Sequence, residues 1–173
     1  NGQLPNPNLQ PESGIGYDLG AEYASGRLRA GVRGFYTKVD DAIVENRVSD
    51  DPSQSQSVNA GEARSYGFET ELRFRFHEMA AAFANLTFTR TKVDNGLDRD
   101  QDGSDVPFVP NYIANVGLAL NLPWDITLSP YLTAVGHYYD STSMSGRNKF
   151  GPYEVMNLHA EKVLVKNPNF QVN

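Results

Sequence analysis

Gly61-Glu62-Ala63-Arg64-Ser65-Tyr66-Gly67-Phe68-Glu69-Thr70-Glu71-Leu72-Arg73-Phe74-Arg75 reads with a period of two. Tyr66, Phe68, Thr70, Leu72 and Phe74 share one face of an extended chain, while Gly67, Glu69, Glu71, Arg73 and Arg75 share the other. A helix would place its apolar residues three and four apart, so strict alternation predicts a strand. Half-buried strands of soluble sheets commonly stop after about five or six residues; this pattern runs much further. One face is apolar and aromatic, and the other carries charges of both signs. Such a strand suits lipid on one side and a wet lumen on the other. A long strand of a soluble β-sandwich is the competing reading.

Composition narrows the classes. The chain has 173 residues and a net charge of -6, which argues against a nucleic-acid partner. It contains no cysteine, so neither a disulfide framework nor a thiolate metal site is available. No run of about eighteen apolar residues predicts a transmembrane helix. The mean hydropathy of -0.49 still permits a membrane barrel, because only alternate residues of its strands face lipid.

Taken in order, the chain repeats the same pattern. Residues 1–12, rich in Asn and Pro, predict a loop. Ile15, Tyr17, Leu19, Ala21 and Tyr23 alternate with Gly16, Asp18, Gly20 and Glu22, and Ser25-Gly26 predicts a tight turn. A second strand climbs from Arg27 to about Val39, with Phe35 on its otherwise polar face. Residues 40–60 predict a long polar connection, with a strand start through Ile43 and Val44 left open, whose Asp50–Ser57 stretch has mobile-loop composition. The opening stretch is the third strand, and residues 76–79 turn into a fourth over 80–93. Residues 94–110 predict a second long, acidic loop. Strands over 112–122 and 126–138 flank the short turn Pro123-Trp124-Asp125. A third long loop covers 140–151. A seventh strand follows over 153–163, and an eighth is expected from Leu164.

Connections thus alternate short and long, as in barrels with short periplasmic turns and longer extracellular loops. Tyr23, Phe74, Phe76 and Trp124 gather at the short-turn side and Tyr36, Tyr112, Tyr138 and Tyr153 at the long-loop side, the two aromatic girdles of a membrane barrel. Strand parity makes the first strand run from outside to inside. The fold expected is all-β: seven to eight antiparallel transmembrane strands forming a slice of a larger barrel.

Four segments carry a family resemblance. Asn6-Pro7-Asn8-Leu9-Gln10-Pro11-Glu12 followed by Tyr17-Asp18-Leu19-Gly20, Gly34-Phe35-Tyr36-Thr37-Lys38-Val39-Asp40-Asp41-Ala42-Ile43, Asn59-Ala60-Gly61-Glu62-Ala63-Arg64-Ser65-Tyr66-Gly67-Phe68-Glu69, and Val106-Pro107-Phe108-Val109-Pro110-Asn111 resemble, in order and spacing, the barrel of TonB-dependent outer-membrane receptors. The resemblance implies a 22-stranded barrel in the Gram-negative outer membrane, with the plug domain, the TonB box and the terminal aromatic strand lying outside 1–173. It implies active import of a scarce nutrient, a ferric siderophore above all, energised by TonB through the plug. Outer-membrane lipid and lipopolysaccharide would surround the barrel. Val135-Gly136-His137-Tyr138-Tyr139 and Asn148-Lys149-Phe150-Gly151-Pro152-Tyr153 most resemble siderophore-type members.

Candidate chemistry is sparse. Asp98, Asp100 and Asp102 followed by Gly103, with Asp105 nearby, have the spacing to wrap one Ca²⁺ with hard oxygen ligands. Val109 stands where a closing Glu would be needed, and the other reading is a solvated acidic loop. Arg27, Arg29, Arg33, Glu69, Glu71, Arg73 and Arg75 are better read as cross-strand charge ladders than as ligand contacts. His137 and His159 face inward on adjacent strands and would have to meet to hold a metal. Arg64, Tyr139, Arg147 and Lys149 lie toward the long-loop side, where cations and aromatics suit an anionic ferric chelate. No nucleophile, base and orienting group occur together, so no enzyme and no required cofactor are expected. The rivals are a complete small eight-stranded barrel with a structural or adhesive role and a soluble β-sandwich binding module.

Overall fold

The computed structural model describes residues 2–50, 53–167 and 170–172, and all regular structure in them is β. A short β1 (Gly2–Leu4) precedes β2 (Ser13–Ser25), β3 (Leu28–Asp50), β4 (Ser53–His77), β5 (Ala80–Asn95), β6 (Tyr112–Leu122) and β7 (Ile126–Val135). Then come β8 (Tyr138–Tyr139), β9 (Lys149–Phe150), β10 (Tyr153–Lys162), β11 (Val165–Asn167) and β12 (Phe170–Val172). One sheet runs β10-β7-β6-β5-β4-β3-β2, antiparallel throughout, with β1 added parallel to β4. Its path is open at β2 and β10 among the described residues. The eighth strand expected from Leu164 is instead β11, paired with β12 apart from this sheet.

Register sorts the side chains into cross-strand rows. Tyr23, Ala30, Leu72, Ala84, Val116, Leu132 and Met156 occupy consecutive partner positions across seven strands. The next residue on each strand points the other way, giving the polar row Glu22, Gly31, Glu71, Asn85, Asn115 and Thr133. On this polar face Arg29 donates to Glu22 at 2.6 Å. A hydrogen-bonded chain runs from Asn157 to Thr133, Asn115 and Asn85. The apolar face stays uncovered: Leu19 is 84 % and Met156 85 % exposed. Contiguous apolar surface on this scale does not persist in water. Among the described residues no second sheet packs on it, which sets aside the soluble sandwich. The open path likewise differs from a closed eight-stranded barrel.

The polar connection expected over 40–60 is strand. β3 and β4 stay paired from Leu28↔Phe74 to Asp50↔Ser53, and β4 alone has 25 residues, a reach of about 80 Å. A strand spans a bilayer in about ten residues, so the ribbon extends far beyond it. Ser and Gln on both faces look like loop in a sequence, yet water on both sides of a ribbon accepts that composition. Residues 1–12, also expected as loop, contribute β1, which pairs Gly2–Leu4 with Gln54–Gln56 where β4 has outrun β5.

The ribbon bends at a bulge, with register shifts between Val39 and Ile43 and Asp41 at φ 57°. A bulge leaves ladder groups unpaired, and distant residues satisfy them here. Glu12 Oε1 accepts from Ile43 N at 2.8 Å. The Asn59 side chain donates to the Asp41 and Gln10 carbonyls and accepts from Gln10 N. Three of the four segments that carry the family resemblance therefore meet at one bulge.

Phe35 on the polar face has a reason as well. It lies over its register partner Gly67, where an added Cβ would stand 3.0 Å from Phe35 Cζ and overlap the Phe88 carbonyl. Phe83 and Tyr131, rings 6.3 Å apart, likewise close over Gly117. Because backbone cannot yield as a side-chain tip does, Gly67→Ala in the receptor is expected to destabilise the barrel by about 3 kcal/mol. Thermal loss of the heat-modifiable folded band in detergent reads this; an unchanged transition contradicts the packing described.

Candidate functional site

The loops after β5 and β7 form one braced unit. Asp100 is its hub: Oδ2 accepts from Ser143 Oγ at 2.5 Å and Oδ1 from Ser145 N at 2.9 Å, while its carbonyl accepts from Met144 N at 2.7 Å. Thr142 donates to Gln101, and Phe108 N to the Tyr139 carbonyl. Asp140 closes the β8–β9 hairpin by accepting from both the backbone and the side chain of Asn148 at 2.8 Å. These neutral donors favour the carboxylate form. Ser143 and Ser145 hold Asp100, and Asn148 holds Asp140, below the ordinary value of 3.8.

Three of the four candidate ligand contacts come together in this unit. Tyr139 and Lys149 are cross-strand partners. The Arg147 guanidinium lies 3.7 Å from the centre of the Tyr139 ring and 3.0 Å from Asp105, so it is fixed by a cation–π contact and an ion pair. Lys149 is exposed. Three aromatics that the sequence reading left out of the site join here: Tyr138 stacks on Phe150 with ring centres 5.5 Å apart, and Phe108 tilts against it at 6.4 Å. Phe108 is 67 % exposed. The signal was available in part, since Phe108 sits between Pro107 and Pro110, in a loop where an aromatic has no strand to serve.

Arg64 sits elsewhere. It stands on the apolar face of β4, in a six-charge chain over three strands: Asp40–Lys38–Glu62–Arg64–Asp94–Lys92. Lys38, Arg64 and Lys92 are direct register partners. The four acidic-loop carboxylates turn to separate partners: Asp98 to Asp100 N and Gln101, Asp100 to the serines, Asp102 to Asn95 N, and Asp105 to Arg147. Among the described residues no group of three or more His, Cys, Asp or Glu is placed to hold a metal. His137 lies beyond β7 against Tyr139, whereas His159 pairs with Ser129. From Ser129 to the end of β7 at Val135 is already six residues of strand, about 20 Å, so the two histidines do not meet.

Comparison with known proteins agrees with this architecture. A family profile described as "TonB dependent receptor-like, beta-barrel" matches residues 1–173. The chain belongs to the TonB-dependent receptor β-barrel family. It is 31 % identical over 161 residues to the ferric-pyoverdine M114 receptor PbuA of Pseudomonas sp. strain M114, covering 89 % of this chain and 19 % of that protein. An iron-regulated outer membrane virulence protein of Vibrio cholerae serotype O1 is 28 % identical over 133 residues, again over 19 % of its length and 70 % of this chain. The chain thus spans about a fifth of these relatives. Among solved structures it resembles the ferric yersiniabactin uptake receptor FyuA of Yersinia pestis, with a TM-score of 0.66, 24 % identity, and coverage of 86 % of this chain and 22 % of that one. It also resembles the ferric enterobactin receptor PfeA of Pseudomonas aeruginosa, with a TM-score of 0.74, 21 % identity, and coverage of 95 % and 26 %. The fold is that of an outer-membrane receptor barrel of Gram-negative bacteria, a family of transporters rather than enzymes.

The brace carries a pH dependence. A carboxyl whose folded value is depressed stabilises above its unfolded value, and that contribution fades as pH falls through the folded one. The loop unit is therefore expected to be intact at neutral pH and to loosen below about pH 4. Hydrogen exchange corrected for intrinsic rates should show protection of 98–103 and 140–147 falling there before that of β4. Protection unchanged down to pH 3 contradicts the hub role of Asp100.

Proposed function

We propose that this chain forms part of the wall and extracellular loops of a receptor importing a ferric siderophore, driven by TonB acting through a plug outside residues 1–173. The observation that carries the reading is the braced loop unit, which presents Lys149, Tyr139 and Arg147 beside the aromatic group of Phe108, Tyr138 and Phe150. An anionic ferric chelate suits the exposed cation Lys149 and the neighbouring rings on a rigid support, with Arg147, held by Asp105 and Tyr139, adding positive potential behind them. The identity to a protein named a ferric-pyoverdine receptor supports the same ligand class. Lipid and lipopolysaccharide meet the apolar face. Calcium at Asp98, Asp100, Asp102 and Asp105 is a separate proposal; the ion would have to take Asp100 from Ser143 and Ser145, and Asp105 from Arg147.

The test uses the whole receptor, with fluorescence titration against ferric pyoverdine and other ferric chelates. Lys149→Ala and Tyr139→Ala are each expected to weaken binding about tenfold, the scale of one charge-assisted contact. Arg64→Ala should leave affinity unchanged. If Lys149→Ala and Tyr139→Ala bind as the wild type does, this unit is not the capture surface.

A further inference from the structure

One ion pair ties the loop after β5 to the loop after β7: Arg147 Nη1 stands 3.0 Å from Asp105 Oδ2. Each partner is anchored without the other. Ser104, just before Asp105, bridges Val93 in β5, and Val106 N, just after it, donates to Thr91 Oγ1 at 2.9 Å. Arg147 N donates to the Ser143 carbonyl at 3.1 Å, Asn148 is bound to Asp140, and the Arg147 guanidinium lies on the Tyr139 ring. The Asp100 hub and the Thr142–Gln101 and Phe108–Tyr139 bonds already join the two loops. The ion pair is therefore surplus to the brace.

The pair is also lopsided. The Arg147 side chain is 14 % exposed and that of Asp105 43 %, so the carboxylate is the partner that solvent reaches. A guanidinium has five N–H groups, and Asp105 takes one of them in a single bond. An ion pair open to water on one side is weak. It yields to an anion whose two oxygens accept parallel N–H groups of the guanidinium fork.

We propose that Asp105 is a specificity-determining residue of the capture surface. It occupies Arg147 as an internal stand-in for the ligand's anionic group, and a ferric chelate displaces it only by presenting a paired-oxygen anion, such as a carboxylate or the oxygens of a catecholate. This rests on the reading of the loop unit as the capture surface. A chelate without such a group finds Lys149 as the open cation and gains no contact with Arg147. A chelate with one turns Asp105 out into solvent and meets a guanidinium already oriented by Tyr139. Discrimination then comes from a built-in repulsive group as well as from attraction.

The experiment is fluorescence titration of the whole receptor with ferric pyoverdine and with a ferric tris-catecholate, using Asp105→Asn, Arg147→Gln and the double variant. Asparagine keeps an oxygen for Arg147 Nη1 and removes the competing charge. Asp105→Asn is therefore expected to bind about tenfold more tightly, the scale of one charge-assisted contact no longer contested. In an Arg147→Gln background the same substitution should gain at most about twofold, because only the field of a screened carboxylate is removed. Millimolar sulfate at fixed ionic strength should weaken chelate binding to Asp105→Asn and leave the wild type as it was. Hydrogen exchange of Asp105→Asn over 140–147 should match the wild type. Unchanged or lower affinity, an equal gain in both backgrounds, or an equal response to sulfate each overturns the proposal. So does lost protection over 140–147, which would make the pair part of the brace. Lys149→Ala and Tyr139→Ala separate this failure from that of the capture reading. If they weaken binding while Asp105→Asn gains nothing, only the role of Asp105 falls. If they bind as the wild type does, or the wild type binds neither chelate, both readings fall.

Discussion

The sheet has no interior of its own, and every other feature follows from that. Its seven antiparallel strands make a single layer, and the buried apolar residues among those described are only Ala81, Val93 and Val135. A layer of this kind persists only if its two faces meet two different media. On the proposed reading lipid meets the face of Leu19, Leu72, Val116 and Met156, and water the face of Glu22, Glu71, Asn85 and Asn115. The backbone ladder satisfies the peptide groups that lipid cannot. Alternation is therefore the folding code of this chain, and a shift of register by one residue would exchange the faces of a whole strand.

Where strands leave the membrane, alternation no longer holds them and specific polar bonds take over. The β3–β4 ribbon continues with water on both sides, and its bulge at Asp41 is closed by Glu12 and Asn59. The loops after β5 and β7 are tied together by the Asp100 carboxylate, with Thr142–Gln101, Phe108–Tyr139 and Arg147–Asp105 as further links. One device closes the bend of the ribbon, and the other holds Tyr139 and Lys149 on a fixed support. The six-charge chain around Arg64 belongs to the boundary between the two regimes.

Strand number, order and face assignment were legible because a period of two survives any loop variation. The opening stretch alone assigns Phe68 and Leu72 to one medium and Glu69 and Glu71 to the other. Residues 40–60 were misread because Ser53-Gln54-Ser55-Gln56-Ser57 carries no apolar face, and hydrophobic pattern cannot announce a strand bathed on both sides. The loop site was half legible. Arg147 and Lys149 drew notice as cations, but that Arg147 is held by Asp105 and Tyr139 depends on contacts between loops far apart in the chain. Arg64 was named for its height toward the long-loop side alone; its even number puts it with Tyr66 and Phe68 on the apolar face, apart from the loop unit. The hub role of Asp100 was hidden in a run of acids with metal-like spacing, where only geometry distinguishes a brace from a ligand set.

The direct test is to map the two media along β4. The 173 residues contain no cysteine, so single Cys substitutions within them, in the whole receptor cleared of any other reactive cysteine, can each carry a spin label at successive positions from Tyr66 to Arg75 in a reconstituted bilayer. Oxygen, which concentrates in lipid, and a water-soluble nickel chelate then report each site. The account predicts strict alternation: Phe68, Leu72 and Phe74 favour oxygen, while Glu69, Glu71 and Arg73 favour the chelate. Uniform accessibility, or the opposite phase, would contradict the assignment of lipid to the apolar face and the barrel reading with it.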